Sequence, residues 1–327
     1  MTHGLSPFRL RATFSPRPWG RSDLSPWYSR EQVEAQMPDT DEPIGEAWLT
    51  GPQAVAETGQ FEGMTLAEIC SRSSAEMLGA WESEEEFPLL LKLLFPDDKL
   101  SVQVHPDDLL AQALGQPRGK TECWYTLAAE QGASVACGLK PGVTLEQIRA
   151  SVSDHSMERL LNRVPVQVGS MVFVDAGTIH AIGPGVTLLE TQQTSDTTYR
   201  MYDYGRPREL HLEQGLKAMK LQTAAGLVEP KPLGMVEGEH ATGTRLIEQK
   251  YFTVDRFDVP AHRSVNRSDA AGKPHCIVAL RGIAVLRTGD GHAIDLVPGT
   301  ATVVPASCGA YGIEAAHEDF ACVRSMP

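Results

Sequence analysis

The sequence predicts an all-β fold with helical insertions, arranged as two β-barrels. Apolar residues alternate with period two through most of the chain, 22 Pro and 29 Gly break it into short segments, and helix-start signals are few. At 327 residues it has room for about two domains, and a hydrophobic fraction of 42% supplies a core for each.

Residues 1–60 read as turn-rich, with short strands and tight loops around PRPWG and PIGEAWLTG. Thr65-Leu-Ala-Glu68 is a capping box, and apolar residues at helical spacing follow through Ile69 and Met77. The period then changes to two. FPLLLKLLF, KLSVQVH, ECWYTLA, GSMVFVDAG, GVTLLETQ and TTYRMYDY all read as strands. A second box, Thr144-Leu-Glu-Gln147, interrupts them and opens a helix carrying Leu145, Ile148 and Val152, reaching toward Leu161 with a break. A short helix is expected near Leu212–Leu221, and residues 222–245, rich in Pro, Gly and polar groups, read as a linker or loop. YFTVDRFDV, HCIVALRGIAVLRTG and GHAIDLVPGTATVVPA then return to strands, which predicts a second, smaller barrel. The division falls at 1–225 and 226–327.

Forty-two acidic against 29 basic residues give a net charge of −13 without a Lys/Arg stripe, so nucleic acid is not an expected partner. A local cluster of cations can still hold a small anion. The six cysteines are scattered without a CxxC pair, as expected of reduced thiols in a cytoplasmic protein. The N-terminal residues lack an apolar h-region, and the longest apolar run, Phe87 to Phe95, contains Pro88 and Lys92. Neither a signal peptide nor a membrane span is expected.

The chemistry concentrates in three segments. In Leu100-Ser-Val-Gln-Val-His105, strand alternation sends Leu100, Val102 and Val104 to one face and Ser101, Gln103 and His105 to the other. In GKTECWYTL it puts Lys120, Glu122 and Trp124 on one face, and in AGTIHAIG it leaves His180 just after a Gly-containing turn. Each piece alone has a plain explanation: a His satisfied beside a turn proline, a half-buried ion pair, a turn cap. Together they offer two imidazoles, a carboxylate and an amide oxygen from separate strands, a ligand set that suits Zn²⁺ and leaves the site with a charge of about +1. Such an ion is a Lewis acid toward a bound hydroxyl or carbonyl oxygen.

Four motifs, LSVQVHPDD at 100–108, GKTECWY at 119–125, DAGTIHAIGPGVTLLETQQTSDTTYRMYDYGRP at 175–207 and PIGEAW at 43–48, make the chain resemble the type I phosphomannose isomerases of the cupin superfamily. The resemblance implies two cupin-like (jelly-roll) barrels, the first catalytic. It also implies an exchange between mannose 6-phosphate and fructose 6-phosphate through a cis-enediol(ate), with one Zn²⁺ per chain. Carried over by position, the zinc ligands fall on Gln103, His105, Glu122 and His180, and the catalytic arginine on Arg200. Ser101, Lys92 and Lys120 fall on substrate or phosphate positions, and Asp196 on a polar residue near the sugar. Lys120 or a bound water is then available for proton transfer. Larger members carry a His just before the motif lysine and an inserted helical domain; here Gly119 and the 144–161 segment stand there, so the resemblance is to the short bacterial form. Related dioxygenases share His and Glu ligands around a redox-active iron, and non-catalytic sugar-binding members lose the polar residues around the metal. The C-terminal unit lacks any paired His/Glu pattern and is expected to serve stability.

Overall fold

A computed structural model describes residues 4–38, 40–84, 86–234, 240–267 and 272–327. Among these the strands form four sheets of seven, five, seven and four strands. The first large sheet contains Leu89–Leu94, Glu122–Ala129, Met171–Val174 and Val186–Gln193. One of its faces packs on the five-stranded sheet, with Trp124, Val172, Val174 and Leu188 against Val135, Cys137 and Ile182. Its other face packs on the second large sheet, where Leu89, Leu91, Leu93, Tyr125 and Phe173 meet Val254, Val278, Val303 and Val323. The four-stranded sheet covers the far side, closing a core around Phe257, Ile277, Leu286, Ile313 and Phe320. The fold is therefore a stack of sheets in which apolar side chains fill each gap.

Period-two alternation explains the stacking. In Leu89–Leu94 the odd-numbered leucines enter the gap between the large sheets, while Leu90, Lys92 and Leu94 face the other way. The strand pairs with Val186–Gln193 so that Lys92 lies opposite Glu190, and Glu190 lies opposite Trp124 on the next strand. Hydrophobic residues thus build the core on one face while charged residues collect on the other.

The capping boxes at Thr65 and Thr144 both form, with each hydroxyl accepting from the third helical N–H and the Glu68 or Gln147 side chain closing back on the cap. The first helix runs over Leu66–Arg72, breaks at Ser73 and resumes as Ser74–Leu78. The second, Leu145–Ser153, gives way after Asp154 to a short 3₁₀ turn, Met157–Leu160, as its expected break requires.

Several expectations need correction. Residues 1–60 contain a nine-residue strand, Thr13–Arg21, and a helix, Arg30–Gln36, started by a Ser29–Gln32 capping box of the kind recognised elsewhere. Asp108–Ala113 is also helical, with Asp107 as its cap. Leu100 does not share a face with Val102 and Val104, because the strand begins only at Val102 and the preceding turn sends Leu100 into the sandwich. Segment 222–245 is not all loop: Gly226–Val228 adds a strand to the first large sheet, while its residues 235–239 lie outside the described residues. Pairing crosses the 225/226 division in both directions, since Phe8–Leu10 joins Ala301–Val304 of the second large sheet.

In the gap between the two large sheets Leu91 is completely buried within the apolar core. Leu91→Ala should cost about 2–5 kcal/mol of unfolding free energy in guanidinium titration. The sheet face that carries Lys92 is the opposite one, so the substitution should leave the cavity described below intact.

Candidate metal centre and active-site cavity

Gln103 and His180 are register partners on neighbouring strands of the five-stranded sheet, and Arg200 pairs with Gln103 from the other side. Glu122 opens a strand of the facing sheet, so the sandwich interior brings all four expected ligands together. His105, Glu122 and His180 are buried, their ligand atoms lie within 4.8 Å of one another, and the group could hold a metal ion.

Hydrogen bonding sets the tautomer of each imidazole. His105 Nδ1 lies 2.9 Å from the carbonyl oxygen of Thr197, and His180 Nδ1 lies 2.9 Å from that of Thr178. A carbonyl can only accept, so both Nδ1 atoms carry the proton and both Nε2 atoms present lone pairs. These point at Glu122, with His105 Nε2 3.4 Å from Oε2 and His180 Nε2 3.4 Å from Oε1. Burial pushes His105 well below its usual range, with the charges of Lys120 and His180 acting in the same direction; burial also takes His180 down to about 4. The contacts are thus lone pair against lone pair rather than ion pairs. Among the described residues neither Glu122 oxygen nor His105 Nε2 makes a well-aligned hydrogen bond, although the Lys120 ammonium stands close to Glu122 Oε2. Buried acceptors facing one another in this way suit a cation between them. Gln103 lies beside His180 Nε2, its amide nitrogen 3.2 Å away; rotating the amide by 180° would exchange nitrogen for oxygen there.

A cavity of about 450 Å³ adjoins this group through Gln103 and Lys120. It is lined by Ser101, Gln103, Lys92, Lys120, Asp196 and Arg200, so every expected substrate residue and both expected catalytic residues reach one space. Lys120 Nζ sits 3.3 Å from Glu122 Oε2. Burial works against its charge, but Glu122, Glu190, Asp196 and Glu46 outweigh it and raise its pKa, so Lys120 is an ammonium and cannot accept a proton at neutral pH. Lys92 is buried 4.1 Å above the Trp48 ring, with Asp196 at 3.6 Å and Glu46 at 3.8 Å. Asp196 itself is mostly exposed at the rim. Ser101 Oγ lies 3.4 Å from Gln103 Oε1. Arg200 donates through an η nitrogen to the Glu209 carbonyl at 2.8 Å, while its buried Nε has no partner.

Sequence reasoning missed Arg17, Glu46, Glu190 and Arg208, which line the same cavity. Arg17 grips Glu46 through two hydrogen bonds of 3.1 and 3.2 Å, and Arg208 grips Asp203 at 2.6 and 2.7 Å. Glu190 accepts from the Trp124 indole at 3.1 Å. Burial and the neighbouring Glu122 charge push its pKa up to about 7, against the pull of Lys120 and Lys92. One signal was available: Glu190 follows two leucines in the strand segment VTLLETQQ, and a carboxylate in a strand that packs into the interior needs a partner or a role. Gly119 belongs here too. A Cβ at this position would lie 2.6 Å from the backbone of Pro106 and Asp107, so this backbone admits no side chain where larger relatives carry a His.

Fold and site together define an all-β protein whose sandwich interior holds a metal-competent His–Glu–His group beneath a cation-lined cavity. A sequence model described as the catalytic domain of type I phosphomannose isomerase matches residues 7–135. The mannose-6-phosphate isomerase of Streptococcus mutans is 33% identical over 301 residues, covering 87% of this chain and 90% of that protein. A Bacillus subtilis relative of the same name is 32% identical, covering 84% and 85%. The crystal structure of a mannose 6-phosphate isomerase from Bacillus subtilis superposes with a TM-score of 0.82 at 27% identity, covering 98% of this chain and 99% of that one. The chain belongs to the type I phosphomannose isomerases, and it is an isomerase. No helix among the described residues is long and apolar enough to cross a membrane.

The neutral buried imidazoles make the metal-free protein sensitive to acid. An unfolded His titrates near 6.5 and these two titrate lower when folded, so between those values the unfolded chain binds more protons. The stability they contribute is present above about pH 6.5 and is lost as the pH falls through the His180 value of about 4. Denaturation of metal-free protein at pH 7, 6 and 5 should show a His180-dependent fall on the order of 3 kcal/mol over the full range, set against an opposing contribution from Glu190, whose pKa is raised to about 7. His180→Gln should flatten that slope.

Proposed function

We propose that this chain interconverts mannose 6-phosphate and fructose 6-phosphate through a cis-enediol(ate), with one Zn²⁺ held by Gln103, His105, Glu122 and His180. The carrying observation is the buried group beside the cavity, where the Nε2 lone pairs of His105 and His180 face the Glu122 carboxylate and neither Glu122 oxygen is satisfied by a hydrogen bond. We assign the chemistry to residues 1–225 as a jelly-roll barrel of cupin type, and residues 226–327 to a second such barrel.

When bound, the ion supplies a Lewis acid that polarises sugar oxygens and favours the negative charge of an enediolate. The reaction moves one proton between C1 and C2 and another between their oxygens. Glu46, Glu190 and Asp196 are the carboxylates that line the cavity, and the raised pKa of Glu190 suits a group that takes a proton from carbon and returns it. Lys120, held as an ammonium, donates hydrogen bonds to oxygen rather than accepting protons. Arg200 lines the same cavity, and its guanidinium stabilises developing anionic charge. Lys92 and Ser101 lie on the cavity wall as substrate contacts, and Asp196 at the rim meets a sugar hydroxyl.

A coupled assay of the zinc-loaded protein against a panel of hexose and pentose phosphates tests the reading, and no turnover of mannose 6-phosphate would refute it. Chelation should abolish activity and added zinc restore it. His105→Ala or His180→Ala should lower metal content together with rate, measured by elemental analysis beside the assay, whereas His240→Ala or His317→Ala should change neither. Arg200→Ala should retain metal and fold yet lose about 2–4 kcal/mol of transition-state stabilisation, mainly in kcat. A rise in KM alone would make Arg200 a substrate anchor instead.

A further inference from the structure

The hairpin between strands Thr242–Glu248 and Thr253–Val259 reaches from the second large sheet to the loop that carries Lys120. Phe252 anchors it, buried in the core between the two large sheets. Beside it, the Tyr251 hydroxyl donates to Asp108 Oδ2 at 2.5 Å. Asp108 Oδ1 accepts from the Gly119 N–H at 3.0 Å and from Gln193 Nε2 at 3.1 Å. Gln193 Oε1 in turn accepts from the Thr121 N–H at 2.9 Å, and the Lys120 N–H donates to the Pro106 carbonyl at 3.0 Å. Three consecutive N–H groups, at residues 119, 120 and 121, are therefore tied down, two of them through Asp108 or the Gln193 amide that it holds.

We infer that Tyr251 is a positioning residue of the active site: through Asp108, the C-terminal unit holds residues 119–121, and with them Lys120 and Glu122, in place beneath the cavity. The inference rests on reading that cavity as the active site. Without the phenol, the nearest donor to Asp108 Oδ2 is Lys250 Nζ, on an exposed side chain 3.5 Å away. The carboxylate is then drawn toward solvent, and Gly119 and Gln193 lose a fixed acceptor. Lys120 and Glu122 lie one and three residues beyond Gly119, and a displacement of 1 Å at reacting groups can cost about a hundredfold in rate. Arg256 also reaches the Tyr125 hydroxyl at 2.5 Å and Ser325 reaches Thr191 at 3.1 Å between the large sheets, and neither contact touches the 119–121 segment.

The test compares Tyr251→Phe, Asp108→Asn, their double variant and Ser325→Ala. Three quantities are measured: kcat and KM on mannose 6-phosphate, the melting temperature, and amide hydrogen exchange of the metal-free protein. Tyr251→Phe should lower kcat about tenfold with KM changed less than about threefold. It should also speed exchange in residues 117–122 while strand Leu89–Leu94 stays protected. Asp108→Asn should give the same pattern, with the double variant no worse than Asp108→Asn alone. Ser325→Ala, which cuts a contact across the same interface, should leave kcat unchanged. The inference is overturned if Tyr251→Phe keeps both kcat and local exchange at wild-type values. It is equally overturned if its losses follow a general fall in melting temperature that Ser325→Ala reproduces. Should the wild type fail to turn over mannose 6-phosphate, the functional reading falls while the exchange comparison still decides whether Tyr251 holds the loop.

Discussion

Everything in the first sandwich depends on acceptors that face one another in a buried place. Glu122 and the Nε2 atoms of His105 and His180 meet at 3.4 Å inside a packed interior, and backbone carbonyls at Thr178 and Thr197 hold both rings so that lone pairs point inward. Such an arrangement is unfavourable in a low dielectric unless positive charge lies among the acceptors. The Lys120 ammonium partly supplies that charge, and a bound cation would complete it. The same buried charges raise the Lys120 pKa and help push Glu190 to about 7, so the titration of the cavity follows from its metal-competent floor.

That constraint is compatible with a stable fold because strand geometry separates two tasks. Strand Leu89–Leu94 presents three leucines to the gap between the large sheets and Lys92 to the cavity. Strand Val186–Gln193 likewise turns Leu189 to the gap and Glu190 to the cavity. A slip of one residue would move the charges into the apolar gap, so burial on the leucine face enforces the register that aligns the site. Stability and chemistry are built by the same strands on opposite faces.

The second large sheet extends this support. Its apolar face closes the back of the catalytic strands, and Phe8–Leu10 threads the start of the chain into it. The chain therefore passes between the two large sheets at both ends, and the Tyr251 hydroxyl brings the second sheet's hairpin to Asp108.

The sequence by itself determined the period-two strands, the capping boxes at Thr65 and Thr144, and the candidate ligand set, because each follows from neighbours within a few residues. Its alternation put Lys120, Glu122 and Trp124 on one face, and the fold agrees. It misread Leu100, because where a strand begins depends on pairing with a distant partner. The Ser29 box was legible and went unread. Tertiary structure alone decided which charged residues share the cavity. Arg17, Glu46, Glu190 and Arg208 come from segments up to 191 positions apart in numbering, and only packing of the sheets brings them together. It alone also decided that Lys120 is held as a cation and Glu190 near neutrality, since a pKa inside a protein is set by burial and by charges that meet only when the chain has folded.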